Sequence, residues 1–144
     1  MILVADTSGL VAALNPADPD HEAARTVMSA AARTVVSPLV FLEIEHVISR
    51  IVSRRAAWGV NDWLLDQARI GRVEVPAISA DVLSKAREVQ DHYDALRLDL
   101  TDAVTVVIAE RYETDAVLTL DRRDFRAVVP LTGGRAFRVF PDDA

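Results

Sequence analysis

Five short apolar runs recur along this chain: Ile2 to Ala5, Thr34 to Val36, Val73 to Val75, Ala116 to Leu120 and Ala136 to Phe140. Stretches long enough for helices keep the first four apart. That spacing narrows the choice of fold more than any other feature. Strands joined through helices pair in parallel, since a parallel pair needs a crossover connection. The expected fold is α/β, a parallel β-sheet flanked by helices on both faces, built as one domain over residues 1–144. In a doubly wound sheet the chain reverses direction after the third strand, so the first and fourth strands become neighbours. Asp6 and Asp121 follow those two strands directly. Both would then flank the switch point at the carboxyl ends of the strands, where such sheets bind ligands.

Helix boundaries follow from caps and breakers. Ser8 to Leu14 forms a short helix stopped by Asn15-Pro16, and Asp20 is expected to cap a second from His21 to about Ala32. Ser37-Pro38 is a strong start for a third, to about Val52. Its Val40, Phe41, Ile44, Val47, Ile48 and Ile51 recur at helical spacing and are expected to face the core. A fourth runs from about Ala56 to Ile70 and ends at Gly71. Ser79 caps a fifth, to about Tyr93, and a sixth covers about Thr101 to Glu113. Asp121 to Ala127 is a turn with a helical fragment. The third, fourth and sixth helices are the most apolar, and part of that surface suggests an interface.

Composition limits the chemistry. With no cysteine, neither disulfides nor thiolate metal sites can form. His21, His46 and His92 are scattered, carry no supporting spacing and are expected on helix surfaces. Any metal site must therefore be mostly oxygen, which favours Mg²⁺ or Mn²⁺. A net charge of −6 argues against a protein that coats nucleic acid non-specifically. It leaves room for a nuclease, whose active site can itself be a cluster of acids. No apolar run is long enough to span a membrane, and no basic segment precedes the first one, so the expected location is cytoplasmic.

Each candidate acid has a plain structural reading beside the functional one. Asp6 and Asp121 are well placed as helix caps or turn formers, and Asp124 as a capping acid in the turn that follows. Asp99 and Asp102 precede and open the sixth helix, where acids suit the helix dipole. Of these two, Asp102, followed by the small Ala103, is the stronger ligand candidate. Glu43 lies in the first turns of the third helix among apolar neighbours, whereas Glu45 resembles an ordinary exposed acid. Four carboxylates brought close together repel one another, and a hard divalent cation would relieve that. A water activated by such a cation can attack phosphorus in line. Of 16 basic residues only Lys85 is lysine. The arginines gather at Arg50, Arg54 and Arg55, and at Arg122, Arg123, Arg126, Arg135 and Arg138. Either group is a solvated face or a hold on an RNA backbone.

Four segments carry a family resemblance when taken in order. They are Ile2-Leu3-Val4-Ala5-Asp6-Thr7-Ser8, Ser37-Pro38-Leu39-Val40-Phe41-Leu42-Glu43, Leu100-Thr101-Asp102-Ala103 and Leu118-Thr119-Leu120-Asp121-Arg122-Arg123-Asp124-Phe125. Together they resemble the PIN-domain ribonucleases, in particular the VapC-type toxins of bacterial toxin–antitoxin pairs. The resemblance implies a sheet of strand order 3-2-1-4-5. It implies that Asp6, Glu43, Asp102 and Asp121 surround Mg²⁺ or Mn²⁺, with Thr7 and Thr119 as supporting hydroxyls. Asp99 either binds the metal through water or caps its helix. The implied activity is hydrolysis of RNA phosphodiester bonds to 5′-phosphate and 3′-hydroxyl ends. The implied partners are a second copy of the chain and a VapB-type antitoxin. Two other classes compete: a PIN-like binding module without catalysis, and a receiver-like phosphoacceptor domain. The latter needs a lysine near its acids, and Lys85 falls within an expected helix.

Overall fold

The computed structural model describes residues 1–144. Five strands, β1 (Ile2–Ala5), β2 (Arg33–Val36), β3 (Val73–Glu74), β4 (Ala116–Leu118) and β5 (Arg138–Phe140), form one sheet in the order β3-β2-β1-β4-β5. Every pairing is parallel, and β1 is central, with Ala5 beside Val36 on one flank and Leu118 on the other. This is the expected 3-2-1-4-5 order. Strands β4 and β5 are shorter than their apolar runs. Thr119 and Leu120 have left the strand and carry the chain into the turn that presents Asp121.

Successive residues of a strand point to opposite faces, so each strand feeds two cores. Leu3, Ala5, Val36, Leu118 and Phe140 belong to one core, packed under α1 (Thr7–Leu14), α2 (His21–Ala30), α3 (Pro38–Ile51) and α4 (Arg54–Arg69). Val4, Val35, Val117 and Val139 belong to the other, under α5 (Ala80–His92), α6 (Leu100–Arg111) and α7 (Arg122–Ala127). Helices thus cover both faces. Gly9 lets α1 reach the end of β4, since a Cβ there would stand 2.3 Å from the Leu118 carbonyl oxygen. No helix is long and apolar enough to cross a membrane.

Ser37, Ser53, Ser79 and Asp99 each accept a hydrogen bond from a first-turn amide, as helix caps do. Asp20 does not. Its carboxylate makes no capping bond and lies 3.6 Å from Arg122 Nη2, while Asp18 Oδ1 accepts from the Asp20 amide.

Two surface expectations also change. His46 and His92 are exposed, but His21 is buried, and its Nδ1–H donates to the Ala12 carbonyl at 2.9 Å. Helix α6 is buried from Thr101 through Ala109, because it fills one core between the sheet and α5. Its apolar surface is therefore spent inside the molecule. Much of the exposed apolar surface lies instead along α3, its end and α4, at Leu42, Ile51, Val52, Trp58, Trp63 and Leu65. Ile51, expected in the core, is 58% exposed, while Phe41 and Val47 are only partly buried. The apolar stripe of α3 is wider than the face it buries.

Candidate active site

Two strand ends and two helix starts meet at the carboxyl edge of the sheet. Asp6 leaves β1 and its amide donates to Leu118 O at 2.9 Å, which ties it to the end of β4. Asp6 is buried, and its carboxylate makes no capping bond to α1. Oδ2 instead accepts from the Thr119 hydroxyl at 3.1 Å, across 113 residues of sequence. Thr119 Oγ1 accepts from the Asp121 amide at 2.9 Å and lies 3.3 Å from Ser8 Oγ. Thr119 has one hydroxyl proton and gives it to Asp6, so Ser8 donates to Thr119. Ser8 Oγ in turn accepts from the Leu120 amide at 2.9 Å. This chain of bonds fixes the Asp6 carboxyl and the Asp121 backbone relative to each other.

The other Asp6 oxygen, Oδ1, is buried with no hydrogen-bond partner. A buried carboxylate oxygen left bare is costly, on the order of 1–3 kcal/mol, unless something else occupies it. Glu43 joins from α3, its Oε1 accepting from the Thr7 hydroxyl at 2.7 Å. Thr7 follows Asp6 directly, so one strand end positions both acids.

Asp102 is buried in the first turn of α6, and its amide donates to Asp99 Oδ1 at 2.8 Å. Asp99 is therefore the cap of α6 and is exposed. One carboxylate oxygen from each of Asp102, Asp121 and Asp124 lies within 4.8 Å of the others. Asp124 is thus more than a capping acid. It stands in the first turn of α7 while Asp121 holds the cap position, and its side chain shares space with Asp102 and Asp121 while also touching Arg123 Nε at 3.3 Å. The signal in the sequence was its position three residues after Asp121, one helical turn along. Ser8 was the other residue whose part was missed, since only the spatial approach of β4 gives its hydroxyl a use.

The electrostatics follow from crowding. Burial pushes the Asp6 carboxyl up to about 7, partly offset by the Thr7 backbone N–H dipole and the Thr119 hydroxyl, with Glu43 and Asp99 adding repulsion. Burial also pushes Asp102 up to about 9, reinforced by the charges of Asp6, Asp99, Asp121 and Glu43. Asp121 is raised as well, by burial and then by Asp124. No arginine or lysine pairs with Asp6, Asp102, Asp121 or Glu43. Among themselves these groups can relieve the repulsion only by holding protons. An all-oxygen donor set with a bare buried oxygen fits a hard divalent cation.

The second arginine group is otherwise engaged. Arg122 clasps Asp142 through Nε and Nη2 at 2.6 and 3.0 Å, Arg126 clasps Asp143 with two bonds of 2.7 Å, and Arg138 Nε meets Asp115 at 2.7 Å. Arg123 is paired with Asp124, and only Arg135 of that group has no ion pair. In contrast, Arg50, Arg54 and Arg55 form none.

Comparison with known proteins agrees with this geometry. The family model of the PIN domain matches residues 3–129, a span that contains Asp6, Glu43, Asp99, Asp102, Asp121 and Asp124. Ribonuclease VapC26 of Mycobacterium tuberculosis is 36% identical over 140 residues, 96% of this chain and 100% of that protein. Among solved structures, the sarcin-ricin loop cleaving toxin VapC20 of M. tuberculosis superposes with a TM-score of 0.71 at 21% identity, covering 83% of this chain and 89% of its own. VapBC2 from Rickettsia felis, solved with a DNA fragment from its promoter, gives 0.65 at 17% identity, covering 91% and 96%. The two structures share the fold, and the full-length sequence match carries the kinship further. An acid-edged parallel sheet in this strand order, matched along nearly its whole length, belongs to the PIN-domain family and within it to the VapC ribonucleases.

Proposed function

We propose that this chain is the toxin of a toxin–antitoxin pair and inhibits growth by hydrolysing RNA phosphodiester bonds with the help of Mg²⁺ or Mn²⁺. The observation that carries this reading is the buried, unpartnered Oδ1 of Asp6 in a ring of acids that has no arginine or lysine of its own beyond the Arg123 contact to Asp124. Asp6, Asp102 and Asp121 would hold the cation together with Glu43, and Asp124 offers a further oxygen. When bound, the cation supplies an activated water and neutralises charge developing on the phosphate.

The chain's own residues do the positioning. Thr119 holds Asp6 in one rotamer by engaging Oδ2, which leaves Oδ1 for the ligand. Thr7 does the same for Glu43. Asp99 anchors the first turn of α6, and so sets where Asp102 stands. Such preorganisation removes the need to rearrange when substrate arrives. Water attack with departure of the 3′ oxygen would leave a 5′-phosphate and a 3′-hydroxyl.

On this reading the protein works in the cytoplasm as one PIN unit over residues 1–144. Its exposed apolar surface on α3 and α4 suits a homodimer, and a VapB-type antitoxin is its expected inhibitor. Purified protein incubated with total RNA should cut it in Mg²⁺ or Mn²⁺, stop in chelator, and recover when Mn²⁺ is restored. Cutting that persists in chelator would overturn the metal-assisted mechanism. Tight RNA binding with no cutting under any divalent cation would make the chain a binding module instead.

A further inference from the structure

The ring of acids repels an RNA backbone at the point where it must be held, so the substrate needs a positive surface close by. Helix α3 provides a route to one. Glu43, His46 and Arg50 follow at i, i+3 and i+7, which sets them along one stripe. Arg50 lies about 10 Å beyond Glu43 along the axis. The stripe opens into a hollow of about 590 Å³ between the end of α3 and the start of α4, lined by Glu45, His46, Ser49, Arg50 and Arg54. Glu45 is the only acid in that lining, and it pairs with neither arginine.

Arg50, in the last turn of α3, suits the dipole of that helix, but folding gives no such reason for its two neighbours. Arg54 and Arg55 occupy the first turn of α4, where no acid is present. Positive side chains there oppose the helix dipole, and first-turn amides carry partial positive charge as well. The Arg54 guanidinium is steadied 5.7 Å over the ring of Trp58, one turn along. The arginines of α7 are quenched by carboxylates, whereas these are left bare at a helix end that attracts anions.

We propose that Arg50 and Arg54, with Arg55 and the first turn of α4, bind backbone phosphates of the RNA on one side of the scissile bond, and that Trp58 positions Arg54. The proposal rests on the ribonuclease reading above. It adds a substrate track along α3 that leads from Glu43 away from the acids.

The test uses the full-length Asp6→Asn protein, which should bind RNA without cutting it, and a fluorescein-labelled, mixed-sequence single-stranded RNA of about 20 nucleotides. Anisotropy titrations over a range of KCl give the affinity and its salt dependence. Adding Arg50→Gln and Arg54→Gln together should weaken binding roughly tenfold at low salt. The slope of log K against log salt should become shallower by about 1.4, at 0.7 per lost phosphate contact. Trp58→Leu should produce part of that loss. Melting temperature should change little in the double variant, because losing Arg54, which opposes the α4 dipole, offsets losing Arg50, which suits the end of α3; a merely structural role would lower it clearly. If the Asp6→Asn parent binds no RNA, the ribonuclease reading itself fails. If the parent binds and the double variant keeps the same affinity and slope, the track is wrong while the active site stands. A double variant that binds RNA normally but loses its co-purified antitoxin or its dimeric state would overturn the proposal in favour of a protein partner.

Discussion

Two edges of this molecule both gather aspartates, and those aspartates behave in opposite ways. At the carboxyl edge of β1 and β4, the acids Asp6, Asp102, Asp121 and Glu43 face one another with no arginine or lysine among them. At the edge where α7 meets the C-terminal turn, Asp142 and Asp143 face Arg122 and Arg126 in two-pronged pairs. Burial and mutual repulsion push Asp6 and Asp102 up to about 7 and about 9. The Arg122 guanidinium holds Asp142 below its ordinary value, and Arg126 with the Val139 amide pulls Asp143 down to about 2. The difference lies in burial and company. One edge is complete in itself, while the other is left with a charge demand that only a proton or a cation can meet. Asp124 stands between the two cases, paired with Arg123 while its carboxylate lies beside Asp102 and Asp121.

The comparison breaks most sharply at Asp6. Asp6→Asn should lower RNA cleavage by at least about 10²-fold, the scale of losing one preorganised electrostatic group. Calorimetric titration with Mn²⁺ should show weaker binding in the same variant. Wild-type cleavage by well-folded Asp6→Asn would remove this residue from the mechanism.

Asp102 tests the energetic side. Its carboxyl is raised in the fold, so the folded state retains a proton that the unfolded chain releases near 3.8. The associated stability is fully present below that value and drains away as pH rises towards about 9. Asp6 contributes the same sign of effect up to about 7. Without divalent cation, thermal melts should therefore fall between pH 5 and pH 8, and Asp102→Asn should flatten the fall. At pH 8 in chelator the variant should melt several degrees above the native protein, and Mn²⁺ should narrow or reverse that order. Parallel pH profiles for the two proteins would show that the acids are not under strain.

The self-neutralised edge should respond least. Arg126→Gln breaks an exposed pair, and such pairs contribute little in water. Its melting temperature should drop by only about 1–2 °C, with cleavage unaltered. A large drop would mean that the clasp on the C-terminal turn holds α7, and with it Asp121, in place.

Much of this contrast is legible in the chain before it folds. The alternation of apolar runs and helical spacing encodes strands and crossovers, and parallel pairing follows from connection length. Asp6 and Asp121 directly follow apolar runs, so their placement at the sheet edge needs only the topology. Glu43 and Asp102 are harder to place, because a helix offers several faces and local periodicity does not say which one meets the acids. The place of Asp124 beside Asp102, and the ion pairs that engage the α7 arginines, were out of reach for a related reason. Each outcome depends on partners that no local pattern names: Asp102 for Asp124, Asp142 and Asp143 for the arginines.

By itself, then, the sequence determined the secondary elements, their parallel pairing and the acids available for chemistry. These depend on hydrophobic period, caps and chain reach, which are local. Tertiary structure alone decided which acids converge, which oxygen of Asp6 stays bare, and which arginines remain free. Thr119 reaches Asp6 across 113 residues and Thr7 reaches Glu43 across 36, while Asp142 removes Arg122 from the pool of free cations. Short-range side-chain forces act only after packing has brought distant segments within a few ångströms, and charges then find the nearest partner in space.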